Sequence, residues 1–132
     1  MCVILPKGMA RLNRLARMSV VFLLLGHLAG GAQAAGFLST IDDMPLADGV
    51  VEIEDGAMVF DKPAGRIVQV TALRDGDVAV ADIRRFYADT LPNLGWRPVT
   101  LEDQGLTFTR KGETLRITLT ADLVIFDLAP RP

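Results

Sequence analysis

Apolar side chains alternate with polar ones along two neighbouring segments near the end of the chain, residues 106–110 and 114–120. The dipeptide Lys111-Gly112 lies between them, and so short a connection is typical of a tight hairpin. Because successive side chains of a strand point to opposite faces, the alternation predicts an antiparallel sheet with one buried face and one solvated face.

The rest of the regular region predicts one helix and further strands. Apolar side chains from Val80 to Leu94 recur at spacings of three and four residues, which indicates an amphipathic helix. We expect Asp77 to cap this helix, and Pro92 and Gly95 to end it. Dense β-branched or apolar residues predict strands at 57–60, 66–73, 96–101 and 123–128. The order predicts an α+β fold, a two-layer sandwich of one amphipathic helix packed on an antiparallel sheet of about four to six strands.

Residues 1–34 have the pattern of a signal peptide. Four basic residues precede an apolar run from Met18 to Leu28, and Ala32-Gln33-Ala34 supplies a small-x-small cleavage site. We therefore expect cleavage near Ala34, a periplasmic or secreted protein, and no stable membrane anchor after cleavage. The uninterrupted apolar stretch 19–25 is shorter than the roughly 20 residues of a spanning helix. Translation from Met18 would remove the basic residues and weaken this prediction.

The predicted mature chain lacks two residue types that dominate catalysis and metal binding. The only cysteine and the only histidine, Cys2 and His27, lie before Ala34. Catalytic triads that need them, structural zinc sites, iron–sulfur sites and His- or Cys-ligated haem are therefore excluded, and no cofactor or metal is expected. All 16 acidic residues follow Ala34, whereas only ten of the 14 basic residues do. The predicted mature chain therefore has a net charge of −6. Nucleic acid is therefore not an expected partner.

The predicted mature chain divides into an irregular lead-in, residues 35–56, and a single α+β domain, residues 57–132. Acidic residues, proline and glycine are frequent in the lead-in, among scattered apolar residues. We expect the apolar residues to hold it against the domain.

Two stretches resemble a known module. They are FYADTLPNLGW, residues 86–96, and FTRKGETLRI, residues 108–117. Together they resemble the helix-to-strand module of small exported proteins of unknown function from Gram-negative bacteria. The resemblance implies export and a helix-plus-sheet fold, and it brings no catalytic residue.

Carboxylates are the one abundant acid–base resource, in the close pairs Asp42/Asp43, Glu52/Glu54, Asp75/Asp77 and Glu102/Asp103. A hydrolase would need two of them facing each other across a cleft. Clusters of Asp, Gly and Pro are more typical of turns, so an enzyme is not expected. Asp75-Gly76-Asp77 lacks the later ligands of a calcium loop, because Ala79 and Phe86 occupy those positions.

Four residues are candidates for partner binding: Tyr87, Trp96, Val124 and Phe126. For the two aromatic residues, a place at the rim of the core is the favoured alternative. The segment 123–126 is apolar at every position, so its strand is either covered on both faces or lies at a sheet edge and pairs with a partner. Arg84, Arg85 and Arg97 could form a small cationic spot, but such residues are more often solvated or paired with carboxylates, here Asp82, Asp89 or Glu102.

The sequence favours a non-catalytic exported binding or accessory protein that docks an unidentified protein partner through a sheet face or edge strand. The second hypothesis is a carrier of a small apolar ligand, lined by Val70, Ile83, Phe86, Leu91, Phe108 and Ile117. A carboxylate-based hydrolase is the third.

Overall fold

The computed structural model describes residues 36–132. The predicted signal peptide, with Cys2 and His27, lies outside the described residues. One α-helix and six strands follow each other as β1 (Val50–Lys62), β2 (Gly65–Arg74), α1 (Val80–Thr90), a 3-10 turn (Leu91–Leu94), β3 (Arg97–Leu101), β4 (Gly105–Arg110), β5 (Glu113–Leu119) and β6 (Leu123–Pro130). The predicted α+β class is confirmed. No helix within these residues is long and apolar enough to span a membrane.

All six strands form one antiparallel sheet in the order β1-β2-β6-β5-β4-β3. Strands β3 to β6 are a meander of short connections, and β6 then returns to pair with β2. Of the two alternatives for the segment 123–126, the edge position is therefore wrong. Its strand, β6, is central because it pairs on both sides, and the edges of the sheet are β1 and β3.

The core lies on one face of the sheet. Alternate residues of the central strands are buried there, and Ile83, Tyr87 and Leu91 of the helical segment are buried with them. Polar partners occupy the other face, where the Gln69 side-chain amide donates a hydrogen bond of 2.7 Å to Asp127. The alternation in the sequence is thus explained by one buried face and one solvated face.

The lead-in contributes to the same core. Leu38, Ile41, Met44 and Ala47 are buried, so residues 36–49 lie against the domain as expected. The Ser39 hydroxyl donates a hydrogen bond of 2.7 Å to the Glu52 carboxylate. Strand β1 begins at Val50, so the end of the segment that the sequence predicted to be irregular is part of the sheet.

The start of α1 differs from the sequence prediction, whereas its end agrees with it. The N-cap position is Ala79, not Asp77, because Asp77 is held in a preceding turn where its N–H donates to the Asp75 carboxylate at 3.0 Å. At the other end Gly95 has a φ of 87°, the left-handed conformation that glycine adopts without steric cost. Gly95 therefore ends the helical segment as predicted.

Candidate functional site

The structure places all four predicted partner-binding residues in the core. Tyr87, Trp96, Val124 and Phe126 are each at most 1% exposed. The rings of Tyr87 and Phe126 pack edge to face, with centroids 5.6 Å apart. Val124 and Phe126 are buried because they lie on the core face of a central strand. None of these four side chains is accessible to a partner in this fold.

Tyr87 has a structural contact that accounts for its hydroxyl. The hydroxyl oxygen accepts a hydrogen bond of 3.2 Å from the backbone N–H of Ala47. Burial raises the pKa of Tyr87 well above its ordinary value, and the hydrogen bond from Ala47 opposes this rise only in part. The tyrosine thus fastens the lead-in to α1.

The residues of the predicted carrier site also pack in the core. Five of them are buried, and Phe86 packs against the same cluster from a half-buried position. The carboxylate pairs are exposed except for Glu52, which is half-buried and bound to Ser39. Within residues 36–132, no three His, Cys, Asp or Glu side chains come close enough together to hold a metal ion.

The most exposed apolar part of the sheet lies on edge strand β1. Met58, Val59 and Phe60 are consecutive and are 51%, 45% and 55% exposed. Met58 and Phe60 are paired with Gln69 and Ile67 of β2, on the face opposite the core. Val59 is paired with the buried Val68, so the three side chains present apolar surface on both sides of the strand. We call residues 57–62 the β1 edge.

The two edges of the sheet differ in how they resist pairing with another strand. Strand β3 has five residues, contains Pro98 and has an irregular register between Pro98 and Thr100. Short length, proline and bulges are features that protect an edge from added strands. In contrast, β1 has 13 residues; its register shifts between Glu52 and Ala57 but is regular from Ala57 to Lys62. The β1 edge is therefore the less protected one.

Charges surround the apolar residues of the β1 edge. Glu54, Asp55 and Asp61 are exposed and acidic, and Lys62 is the one basic residue of the strand. The three apolar side chains thus follow a net negative charge, from Glu54 and Asp55, whereas the charges of Asp61 and Lys62 after them balance. The sequence predicted a strand at 57–60 but gave no sign that it would be an edge, because the strand order depends on where β6 pairs.

No family model, no curated protein and no solved structure matches this chain.

Proposed function

We propose that this protein is a non-catalytic binding protein that docks a partner protein through the β1 edge. The partner contributes an extended segment, which pairs with the outer side of β1 as a seventh strand. Main-chain hydrogen bonds supply affinity in this mode of recognition, and side-chain pockets supply specificity. The observation that carries the proposal is the contrast between the two edges: β3 is short and protected, whereas β1 is longer and has an apolar stretch in regular register from Ala57 to Lys62.

The chemistry of the β1 edge defines the kind of segment that fits. Side chains of an added strand lie opposite Met58, Val59 and Phe60, which favours apolar residues at the centre of the segment. Glu54 and Asp55 favour lysine or arginine at the end of the segment that lies opposite them. The partner strand is therefore apolar in its middle and basic at one end.

We also propose that one face of the sheet is free. Residues 36–49 and α1 form one layer, and the sheet forms the other, in a two-layer sandwich. Burial of residues from both segments against one sheet face supports this arrangement. Met58 and Phe60 then extend the docking surface onto the free face.

The test uses a pair of short synthetic peptides of alternating valine and threonine, one with lysines at both ends and one with glutamates. Backbone amide chemical shifts of the full chain are followed by NMR during each titration. We expect the lysine peptide to shift residues 57–62 and to slow the amide hydrogen exchange of those whose N–H groups point away from β2, because these groups become paired. The glutamate peptide should bind more weakly because it meets like charges.

Matched variants place the binding on one edge. Phe60→Glu on β1 should abolish the shifts, whereas Val99→Glu on the exposed part of β3 should leave them unchanged. Shifts that are spread equally over both edges, or that are equal for the two peptides, would overturn the proposal. A concentration-dependent dimer without peptide binding would show that a second copy of this chain, and not another protein, occupies the edge.

We propose with this function that the chain is exported and cleaved near Ala34. The basic and apolar pattern of residues 1–34 supports this proposal. Intact-mass measurement of protein from the periplasmic fraction of the producing cell should give a chain that begins at Ala35. A chain that retains residues 1–34 and remains in the cytoplasmic fraction would contradict export without affecting the docking proposal.

A further inference from the structure

A pocket of about 470 Å³ lies beside the turn between β4 and β5. Four of its lining residues are cations, namely Arg97, Arg110, Lys111 and Arg131. The described part of the chain carries ten basic and 16 acidic residues. Four of these ten basic residues therefore line one pocket of a domain whose overall charge is negative.

The backbone brings two of the cations together. Lys111 and Gly112 both have positive φ angles, 47° and 80°, as expected for the two central residues of a tight hairpin turn. The backbone N–H of Arg131 donates a hydrogen bond of 2.7 Å to the carbonyl oxygen of Gly112. The end of the chain is thereby held beside the turn that carries Lys111.

Arg110 is held in one orientation by two contacts. Its guanidinium lies over the Trp96 ring, 4.3 Å from the ring centroid. One Nη donates a hydrogen bond of 3.0 Å to the carbonyl oxygen of Leu94, and no acceptor within residues 36–132 faces its buried Nε. A guanidinium fixed in this way loses little conformational entropy when it binds a planar oxyanion.

The positive charge of the pocket is not neutralised by neighbouring carboxylates. Asp43 is the one acidic residue in the lining, yet none of the four cations forms an ion pair with it or with another carboxylate of residues 36–132. The ion pair in this part of the chain joins Arg85 to Asp82, on the surface of α1. Arg85 is thus paired with Asp82, as the favoured alternative has it, and of the three arginines considered for a cationic spot Arg97 alone lines the pocket.

We propose that this pocket binds a small organic anion that carries at least two oxyanion groups, phosphate or carboxylate. Its volume falls within the roughly 300–1,000 Å³ of small-molecule sites. Arginine pairs with both kinds of oxyanion through two parallel hydrogen bonds, so the four cations match more than one such group. Asp43 and Thr109 line the same pocket and can bond to a hydroxyl or ammonium group of the ligand.

Trp96, the one tryptophan of the chain, provides a direct readout because Arg110 lies on its ring. The test is a titration of the full chain with pyrophosphate and, separately, with citrate at constant ionic strength, followed by tryptophan fluorescence. A saturable change with either probe supports the site, and the probe that binds more tightly distinguishes a phosphate ligand from a carboxylate ligand. Isothermal titration calorimetry measures the same affinities without a fluorescent reporter.

Three variants test the assignment in opposite directions. Arg97→Gln and Arg131→Gln should each weaken binding about tenfold, because each removes a charge-assisted hydrogen bond. Asp43→Asn removes a negative charge that repels the anion and should tighten pyrophosphate binding roughly threefold. Asn suits this position because Asp43 has a φ of 57°, a conformation that asparagine tolerates.

Arg84→Gln is the control, since it removes the same charge from a helix residue outside the pocket. It should leave both affinities unchanged, and thermal melting should confirm that every variant is folded. The absence of saturable binding by either probe, or an equal loss in Arg84→Gln and Arg97→Gln, would overturn the proposal. Neither result bears on the β1 edge, which is tested with peptides.

Discussion

The Tyr87 hydroxyl accepts a hydrogen bond from the backbone N–H of Ala47, across a sequence separation of 40 residues. This bond joins α1 to the lead-in, and both partners are buried. Buried backbone donors are nearly always paired, so the hydroxyl fulfils a requirement of the lead-in as well as of its own ring. The irregular segment 36–49 is in this way part of the domain core.

Removal of that hydroxyl should destabilise the protein without disturbing its shape. Tyr87→Phe keeps the ring and its contact with Phe126 but leaves the Ala47 N–H unpaired. We expect a loss of about 1–3 kcal/mol in the free energy of unfolding. Urea denaturation followed by circular dichroism measures it. An unchanged unfolding midpoint would mean that the bond contributes nothing to stability.

The same hydroxyl should make stability depend on pH in the alkaline range. The ordinary pKa of tyrosine is near 10, and burial raises that of Tyr87 in the folded protein. Above about pH 10 the unfolded chain releases this proton while the folded protein retains it, so the free energy of unfolding falls as pH rises. Below about pH 10 the Tyr87 hydroxyl is protonated in both states, so its contribution to the free energy of unfolding is fully present there.

The check is the difference in unfolding free energy between the natural protein and Tyr87→Phe, measured from neutral pH to above pH 10. We expect this difference to shrink as pH rises, since the variant has no group to ionise at position 87. Tyr87 is the one tyrosine of the chain, so tyrosinate absorbance reports the same event. Ionisation in the folded protein near pH 10 would contradict the assigned burial.

Much of the fold was predictable because local patterns define it. Residues close in sequence define three of its features: the alternation of Phe108 with polar neighbours, the apolar face of the helix around Ile83, and the helix end at Gly95. The position of β6 was not predictable in this way. Its apolar run suits either an edge or a central strand, and the choice depends on pairing with β2, far earlier in the chain.

The candidate sites were harder to predict for the same reason. Tyr87 and Trp96 were placed among partner-binding residues because amphipathic aromatics suit both a surface and a core. Only the tertiary structure shows that Ala47 satisfies the Tyr87 hydroxyl. Similarly, Arg97 and Arg131 are far apart in sequence and line one pocket only after β6 brings the end of the chain to the β4–β5 turn.

Two phenylalanines of equal size provide a matched test of the core assignment. Phe126 is fully buried, and Phe60 is 55% exposed on the β1 edge. We expect Phe126→Ala to cost about 3–5 kcal/mol of unfolding free energy, because it leaves a cavity in a packed core. Phe60→Ala should change stability by no more than about 0.5 kcal/mol. Similar losses in chemical denaturation would refute the assigned placement of these rings.

The β4–β5 turn allows a second matched comparison. Gly112 has a φ of 80° and Gly76 has no positive φ, yet an added Cβ would meet no atom within 4 Å at either position. The backbone angle is therefore the main difference between them. We expect Gly112→Ala to lower the unfolding free energy by about 1–2 kcal/mol. Gly76→Ala should not lower it, and thermal denaturation compares the two. Equal effects would show that the turn conformation is not constrained.

Photo-crosslinking from the β1 edge tests the central claim most directly. A benzophenone side chain is placed at position 60 on β1 or, as a control, at position 99 on β3, in cells that produce the full chain. Both natural side chains are exposed and apolar, so the two positions differ mainly in the edge they occupy. Mass spectrometry then identifies the partner peptide in each crosslinked product. We expect position 60 alone to join one extended segment, apolar at its centre and basic at one end. The absence of a product, or the same products from both positions, would contradict docking at the β1 edge.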